Sequence, residues 1–532
     1  MRQVKASSAG CIDSLFGLAG EDAHHAFRES QMVAVASALR ENAMRYPGDN
    51  RTSTAQLVLY LRAGYYVQWH NPADVGPYGA ALKRAVREGL DAYFGNAKSS
   101  TVSDANGEVL AEAVTLVDSA GENVRYLHVV KRLLNGYDAT YDEHWWMLNA
   151  VNSVYRVLFR GHRVPGFAAA VESEPGVLDT LSSFAVRHLG LLGTGRGYLT
   201  SNAGRELGRF LRHASLRAKV RPLVRGLLGA SGMTGETAPL WVGVAEMTVH
   251  YDRTNCSYYG TCDLKERLAR NVLTIGHSCG SSIRIRAQDM TAAQLAGTCE
   301  SLLKQDAYFH NLVKDGNKPV ADDGNTTIEV CVFDSSTAYQ TYAGAMFGID
   351  GGTGGMYLEG DPAASGNQPR FVTHEAESAR PRFEIRNLNH EYTHYLDGRF
   401  DLYGGFAANV STPTIWWIEG IAEYVSYSYR KVTNRRAIAE AAKRTYALSA
   451  LWDTTYHHDA SRIYSWSYLA VRFMLERHPD DVATLLGHYR TGNWNAARTF
   501  LTATIGTRYD ADWQTWLTAC ASGACVEGID AK

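Results

Sequence analysis

The sequence predicts a chain of two parts, an all-α array followed by an α+β domain, and three observations carry that prediction. From about Asp13 to Leu228 apolar residues recur at helical spacing, as in Ser30–Arg40 and Glu143–Arg160, with short polar breaks between them. The stretch 229–239 is rich in Gly, Ser and Thr and ends in Pro, which is the composition of a flexible connection. Beyond it, segments 282–287 and 327–333 alternate apolar and polar side chains with period two, so a sheet enters only there. At 532 residues the chain also exceeds the size at which one hydrophobic core keeps growing.

Taken in order, residues 1–228 are expected to form stacked antiparallel helix pairs, resembling a HEAT-like solenoid without a clean repeat period. A linker is expected over 229–239. The second domain would then occupy 240–532, with a sheet-containing part to about 400 and a helical part to the end. Leu240–Tyr251, a run of apolar residues directly after the linker, reads as its first strand.

Charge and composition remove several classes of partner. Lys plus Arg (53) and Asp plus Glu (55) nearly cancel, so no global basic field attracts nucleic acid or an anionic membrane. No stretch has the roughly 18 apolar residues that a spanning helix needs. The first ten residues lack an apolar signal-peptide core, which fits either a cytosolic chain or one that begins after a removed signal. Eight cysteines, several of them close together, suit disulfides in an oxidising compartment, with reduced core cysteines as the alternative. The short-range pairs would be Cys256–Cys262, Cys279–Cys299 and Cys520–Cys525, leaving Cys11 and Cys331 unassigned.

The chemistry-bearing pattern is His390-Glu391-x-x-His394. Histidines four apart share a helix face and can offer ring nitrogens to one ion, while a Glu between them is available as general base toward a water acidified by zinc. A surface helix with two histidines is the plain alternative. A third ligand is found 25 positions after His394, where Glu419 sits on the strongly apolar segment 416–427. A carboxylate there is costly to bury unless it is paired or bound to a metal. Glu423, one turn on, would orient a histidine through its free ring N–H, and Gly420 would allow a close helix approach. The absence of a third histidine at metzincin spacing argues against that arrangement, while the separation of Glu419 from His394 is similar to that in the gluzincin class of metallopeptidases.

These residues, together with the segment 354–361 that precedes them, resemble the bacterial collagenases, in particular the form secreted by Gram-negative bacteria, and the similarity extends over nearly the whole chain. The resemblance implies a helical activator domain, a linker, and a gluzincin, thermolysin-like peptidase domain. It implies a secreted zinc metalloendopeptidase acting on collagen and gelatin, without nucleic acid or membrane partners and expected as a monomer. The collagen-binding or polycystic-kidney-disease-like domains that often trail in that family are not seen before Lys532, so cleavage is expected rather than fibril binding. It also implies that Gly354 and Gly355 line the substrate cleft and that Glu359 contributes to a calcium site.

The residues themselves read Gly354–Glu359 as a strand, with Tyr357 in it, along which a substrate could pair. An oxyanion donor besides the metal is expected to be a Tyr or His; Tyr464 is favoured over Tyr468, His457 and His458. His277, His310 and His374 lack partners at ligand spacing, and the basic run 430–436 reads as a solvated helix end. Two other readings stand beside the leading one: a gluzincin that cleaves gelatin or general peptides only, and a collagen-binding adhesin with a structural zinc, against which the intact Glu391 argues.

Overall fold

The helical spacing of the first half is realised as helices throughout the first of two units, Met1–Leu264 and Lys265–Lys532, in the computed structural model, which describes residues 4–5 and 9–528. Most of residues 1–8, read above for a signal sequence, and the terminal Lys532 lie outside the described residues. In the first unit α1 (Thr54–His70) and α3 (Trp145–Gly161) both pack on α2 (Asp104–Ser119). Helix α4 (Gly197–Arg209) and α5 (Arg217–Gly229) pack against each other and against α6 (Ala238–Tyr251). No strand occurs among the described residues of this unit.

One expectation is corrected here. Leu240–Tyr251 is helical, not a strand: nearly all of α6 is buried, so apolar residues appear on every side and the run carries no period by which to tell helix from strand. Pro239 stands in its first turn, where a missing N–H is harmless. The 229–239 segment accordingly lies inside the first unit, as the turn between the packed helices α5 and α6, and the division between units falls at Leu264.

The second unit is built on a five-stranded sheet of order β1-β2-β3-β5-β4, comprising β1 (Ile275–Cys279), β2 (Ile283–Ala287), β3 (Ile328–Phe333), β4 (Gly355–Leu358) and β5 (Arg370–His374). Strands β2, β3 and β5 run parallel, and the two edge strands β1 and β4 run antiparallel to their neighbours. The two alternating segments of the sequence are β2 and β3, and β3 is buried on both faces, as a central parallel strand requires. Helix α7 (Ala292–Val313) opens with a capping box between Thr291 and Gln294 and contributes Leu302 and Phe309 to the core.

Three more helices complete the frame: α8 (Leu388–Phe400), α9 (Ile415–Arg430) and α10 (Ser467–Arg477). Fully buried Trp416, Trp417, Trp452, Trp466 and Trp513 fill the C-terminal part. The disulfides are those expected, Cys256–Cys262, Cys279–Cys299 and Cys520–Cys525, and Cys331 is a buried thiol.

Helices α9 and α10 meet at Gly420, where an added Cβ would come within 2.5 Å of the Ser467 carbonyl and 2.6 Å of Val471 Cγ2. Gly420→Ala is therefore expected to destabilise the second unit by about 1–3 kcal/mol, roughly 2–10 °C in Tm. A thermal melt followed by circular dichroism measures this; an unchanged Tm would mean that the helices do not approach this closely.

Candidate active site

Helix α8 has three faces with three tasks. Asn389 and Thr393 turn to α7, where Gln305 Nε2 donates to Asn389 O (2.8 Å) and Thr393 Oγ1 (2.9 Å), and Asn389 Nδ2 donates back to Gln305 Oε1 (2.6 Å). Tyr392 adds an O–H bond to Asp306 (2.6 Å). Asp397 faces α9 and accepts from Trp417 Nε1 at 3.0 Å. The third face carries His390, Glu391 and His394. Buried polar bonds of this kind fix a helix in rotation as well as position.

On that face three ligand-type atoms converge. His390 Nε2 and His394 Nε2 are 3.1 Å apart, and Glu419 Oε2 is 3.3 Å from the first and 3.6 Å from the second. Ligand atoms about 2.0–2.2 Å from one tetrahedral ion would lie roughly 3.3–3.6 Å from one another. Glu419 is buried and its Oε2 finds no hydrogen-bond donor. An orphaned buried carboxylate oxygen facing two imidazole nitrogens is the donor set of a cation site, and the three residues are compatible with zinc.

The electrostatics point the same way. Burial disfavours the charged forms of His390 and Glu419, yet Glu419 and Glu423 hold the His390 imidazole well above its ordinary range, and His394 and His390 hold the Glu419 carboxyl well below its own. Glu423 Oε1 lies 3.0 Å from His390 Nδ1, which leaves Nε2 turned to the convergence point. Glu423 was read from the sequence in this position.

Glu391 stands apart from the triad. Its Oε2 accepts the backbone N–H of Tyr357 at 2.9 Å, so the base candidate is tied to edge strand β4. Alternation along an antiparallel strand puts the N–H and C=O of Gly355 on the same open edge as those of Tyr357. The Tyr357 ring lies against Tyr395, with centroids 6.3 Å apart, so this residue meets the site through its backbone. Gly354 has φ +75°, where a side chain would be strained, and a Cβ there would fall 2.6 Å from Arg386 Nε, so that arginine would have to move. Glu359, just past β4, accepts from Phe406 N at 2.8 Å, and burial pushes its carboxyl up to about 7, with Asp323 and Asp322 adding to the effect.

Tyr464 is 40% exposed and its ring centroid lies 6.4 Å from that of His390, without a hydrogen bond to the triad. Burial pushes its phenol up to about 12. Tyr468 is buried, and its hydroxyl accepts from Arg472. The residue that sequence reasoning missed is Tyr456, whose hydroxyl donates to Glu419 Oε1 at 2.5 Å. It directly precedes His457 and His458, which drew attention instead, and no spacing marks it. His310 pairs with Asp315 and His374 with the Glu375 carbonyl, both outside the site.

Comparison with known proteins places these features. A family model described as collagenase matches residues 227–516, and one described as the N-terminal part of peptidase family M9 matches residues 1–169. The microbial collagenase of Vibrio alginolyticus is 36% identical over 529 residues, covering 99% of this chain and 64% of that protein. The microbial collagenases of Vibrio parahaemolyticus and Vibrio vulnificus are 31% and 30% identical, over 97% of this chain and 63% and 64% of theirs. The chain thus spans just under two thirds of the length of these relatives. It belongs to the M9 peptidase family, the collagenases.

Proposed function

We propose that this chain is a secreted zinc metalloendopeptidase of the gluzincin type that hydrolyses peptide bonds in collagen and gelatin. The observation that carries this reading is the separation of roles on α8: two histidines converge with Glu419, while Glu391 is held outside that set by the Tyr357 N–H. A closed structural site would have no use for a second, unligated carboxylate.

Zinc, when bound by His390, His394 and Glu419, supplies Lewis-acid polarisation of the scissile carbonyl and makes a water acidic enough to be deprotonated near neutral pH. Glu391 takes that proton on Oε1, the oxygen not committed to Tyr357, and delivers it to the leaving amine. The open edge of β4, starting at Gly354 and Gly355, aligns an extended substrate by strand addition. Tyr464 hydrogen-bonds the developing oxyanion, and Tyr456 holds Glu419 in its ligating rotamer. Glu359 with neighbouring backbone carbonyls holds calcium, whose charge would answer the repulsion from Asp322 and Asp323. The three disulfides favour an extracellular location, and no described helix is long and apolar enough to cross a membrane. The first unit, with helix pairs stacked in a HEAT-like manner, serves as the activator that collagen needs, because three tightly wound strands do not enter a zinc cleft singly.

Glu391→Gln is expected to keep zinc bound while lowering kcat by at least about 100-fold, since base and ligands are different groups. Metal analysis beside peptide turnover checks this, and a variant with near-normal kcat would end the mechanism. Glu419→Ala should lose zinc outright, whereas Glu423→Ala should weaken zinc binding by roughly 10–100-fold; competition with a chelator orders the two, and full occupancy in Glu419→Ala would move the third ligand elsewhere. A chain beginning at Lys265 should still cleave short unfolded peptides but fail on native type I collagen, while the full chain releases fragments from it in a zinc-dependent way. Equal rates of the two chains on native collagen would give the helical unit another purpose, and cleavage of heat-denatured collagen alone by the full chain would make it a gelatinase.

A further inference from the structure

Beside the metal triad lies a cavity of about 660 Å³ that the hydrolytic scheme leaves unused. The first turns of α7, the segment 383–389 leading into α8, and one face of α9 form its walls, and His390 itself lines it. Four charged side chains do so too: Glu384, Arg386, Glu423 and Arg430. Both carboxylates are already committed. Glu384 pairs with Arg382 at 2.6 Å, and Glu423 faces His390 Nδ1 at 3.0 Å and accepts from Asn434.

The two guanidinium groups are not neutralised. Arg430 donates to Ser426 O and Oγ and lies over the Tyr427 ring, without a carboxylate partner among the described residues. The Arg386 side chain has no hydrogen bond or ion pair to any described residue, and its Nε lies close against Gly354 at the start of β4. Arginine does not deprotonate in proteins, so the cavity presents two permanent positive charges, one of them where a strand-paired substrate would pass. Arg430 is thereby set apart from the rest of the 430–436 run, which the sequence alone reads as a solvated helix end.

We propose that this cavity is a substrate subsite for a carboxylate, held by Arg386 and Arg430. The ligand is either an acidic side chain of the bound peptide or its terminal carboxyl group. The subsite rests on the peptidase reading above and adds a charge preference to it. Arginine offers paired N–H donors that match the two oxygens of a carboxylate. Because both arginines are exposed, each contact is of the modest, salt-screened kind.

The test uses the full chain with zinc and matched peptides carrying Glu or Gln, and Asp or Asn, at each of three positions on either side of the scissile bond. A parallel set ends in the corresponding position as a free acid or an amide, which distinguishes a side-chain carboxylate from a terminal one. The readout is the ratio of kcat/KM for acid over amide within each enzyme, so that general losses in a variant cancel. The wild-type chain should favour the acid by roughly 3- to 10-fold at one position, the ratio should fall as salt is raised, and Arg386→Gln/Arg430→Gln should bring it to about 1. Arg386→Lys, which keeps the charge and loses the fork, should retain part of it. No position with a ratio above about 2, or a preference that survives in the double variant, overturns the proposal. Absence of cleavage of any peptide by the wild-type chain would instead remove the peptidase reading, and this inference with it.

Discussion

The second unit is organised around one unfavourable contact. Glu419 Oε2 is buried in a helix of tryptophans and aliphatics, without a donor, opposite two imidazole nitrogens that converge on the same point. A buried carboxylate costs several kcal/mol unless an opposite charge answers it, and three ligand atoms within 3.6 Å of one another are held together best by a cation. Such an arrangement persists only if the backbone that carries it cannot relax. The Gln305–Asn389–Thr393 bonds hold α8 on α7, the Asp397–Trp417 bond holds α8 to α9, and Gly420 lets α10 close behind α9. Each acts within a turn or two of a ligand, so the frame resists rotation where rotation would open the site.

Edge strand β4 makes a second constraint serve two ends. Its Tyr357 N–H fixes one oxygen of Glu391, and the same edge is the one left open for a substrate strand. On the proposed reading, substrate alignment and the direction of the base are set by one piece of backbone. The Tyr357 ring, turned inward against Tyr395, is what anchors that piece to α8.

How much of this was legible follows from which interactions leave a mark in sequence. His390 and His394 stand four apart on α8, and Glu419 and Glu423 four apart on α9, so each pair was legible as one helix face, whereas the meeting of the two helices was legible only through the resemblance in separation. The strands β2 and β3 were visible because one-residue alternation has no helical counterpart, and the disulfides because short separations leave few other partners. Helix α6 was misread because burial on all sides erases periodicity. Tyr456 was invisible for another reason: it reaches Glu419 across 37 residues from a segment of irregular structure, and no local pattern encodes a contact of that kind. The same holds for Arg386 and Arg430, which lie in separate segments and meet only around a cavity.

That cavity also bears on why Glu423 is bound as it is. Glu423 lines it together with the two arginines, and a free carboxylate there would repel an incoming acidic group and neutralise the arginines itself. Its Oε1 is instead taken up by His390 Nδ1 and its Oε2 by Asn434. One side chain therefore serves both places: Glu423 turns the His390 Nε2 toward the metal position, and its two oxygens are hydrogen-bonded away from the arginines of the adjoining cavity. Loss of Glu423 would on this argument disturb ligation and the charge balance of the cavity in opposite senses, weakening the first while leaving the second more positive.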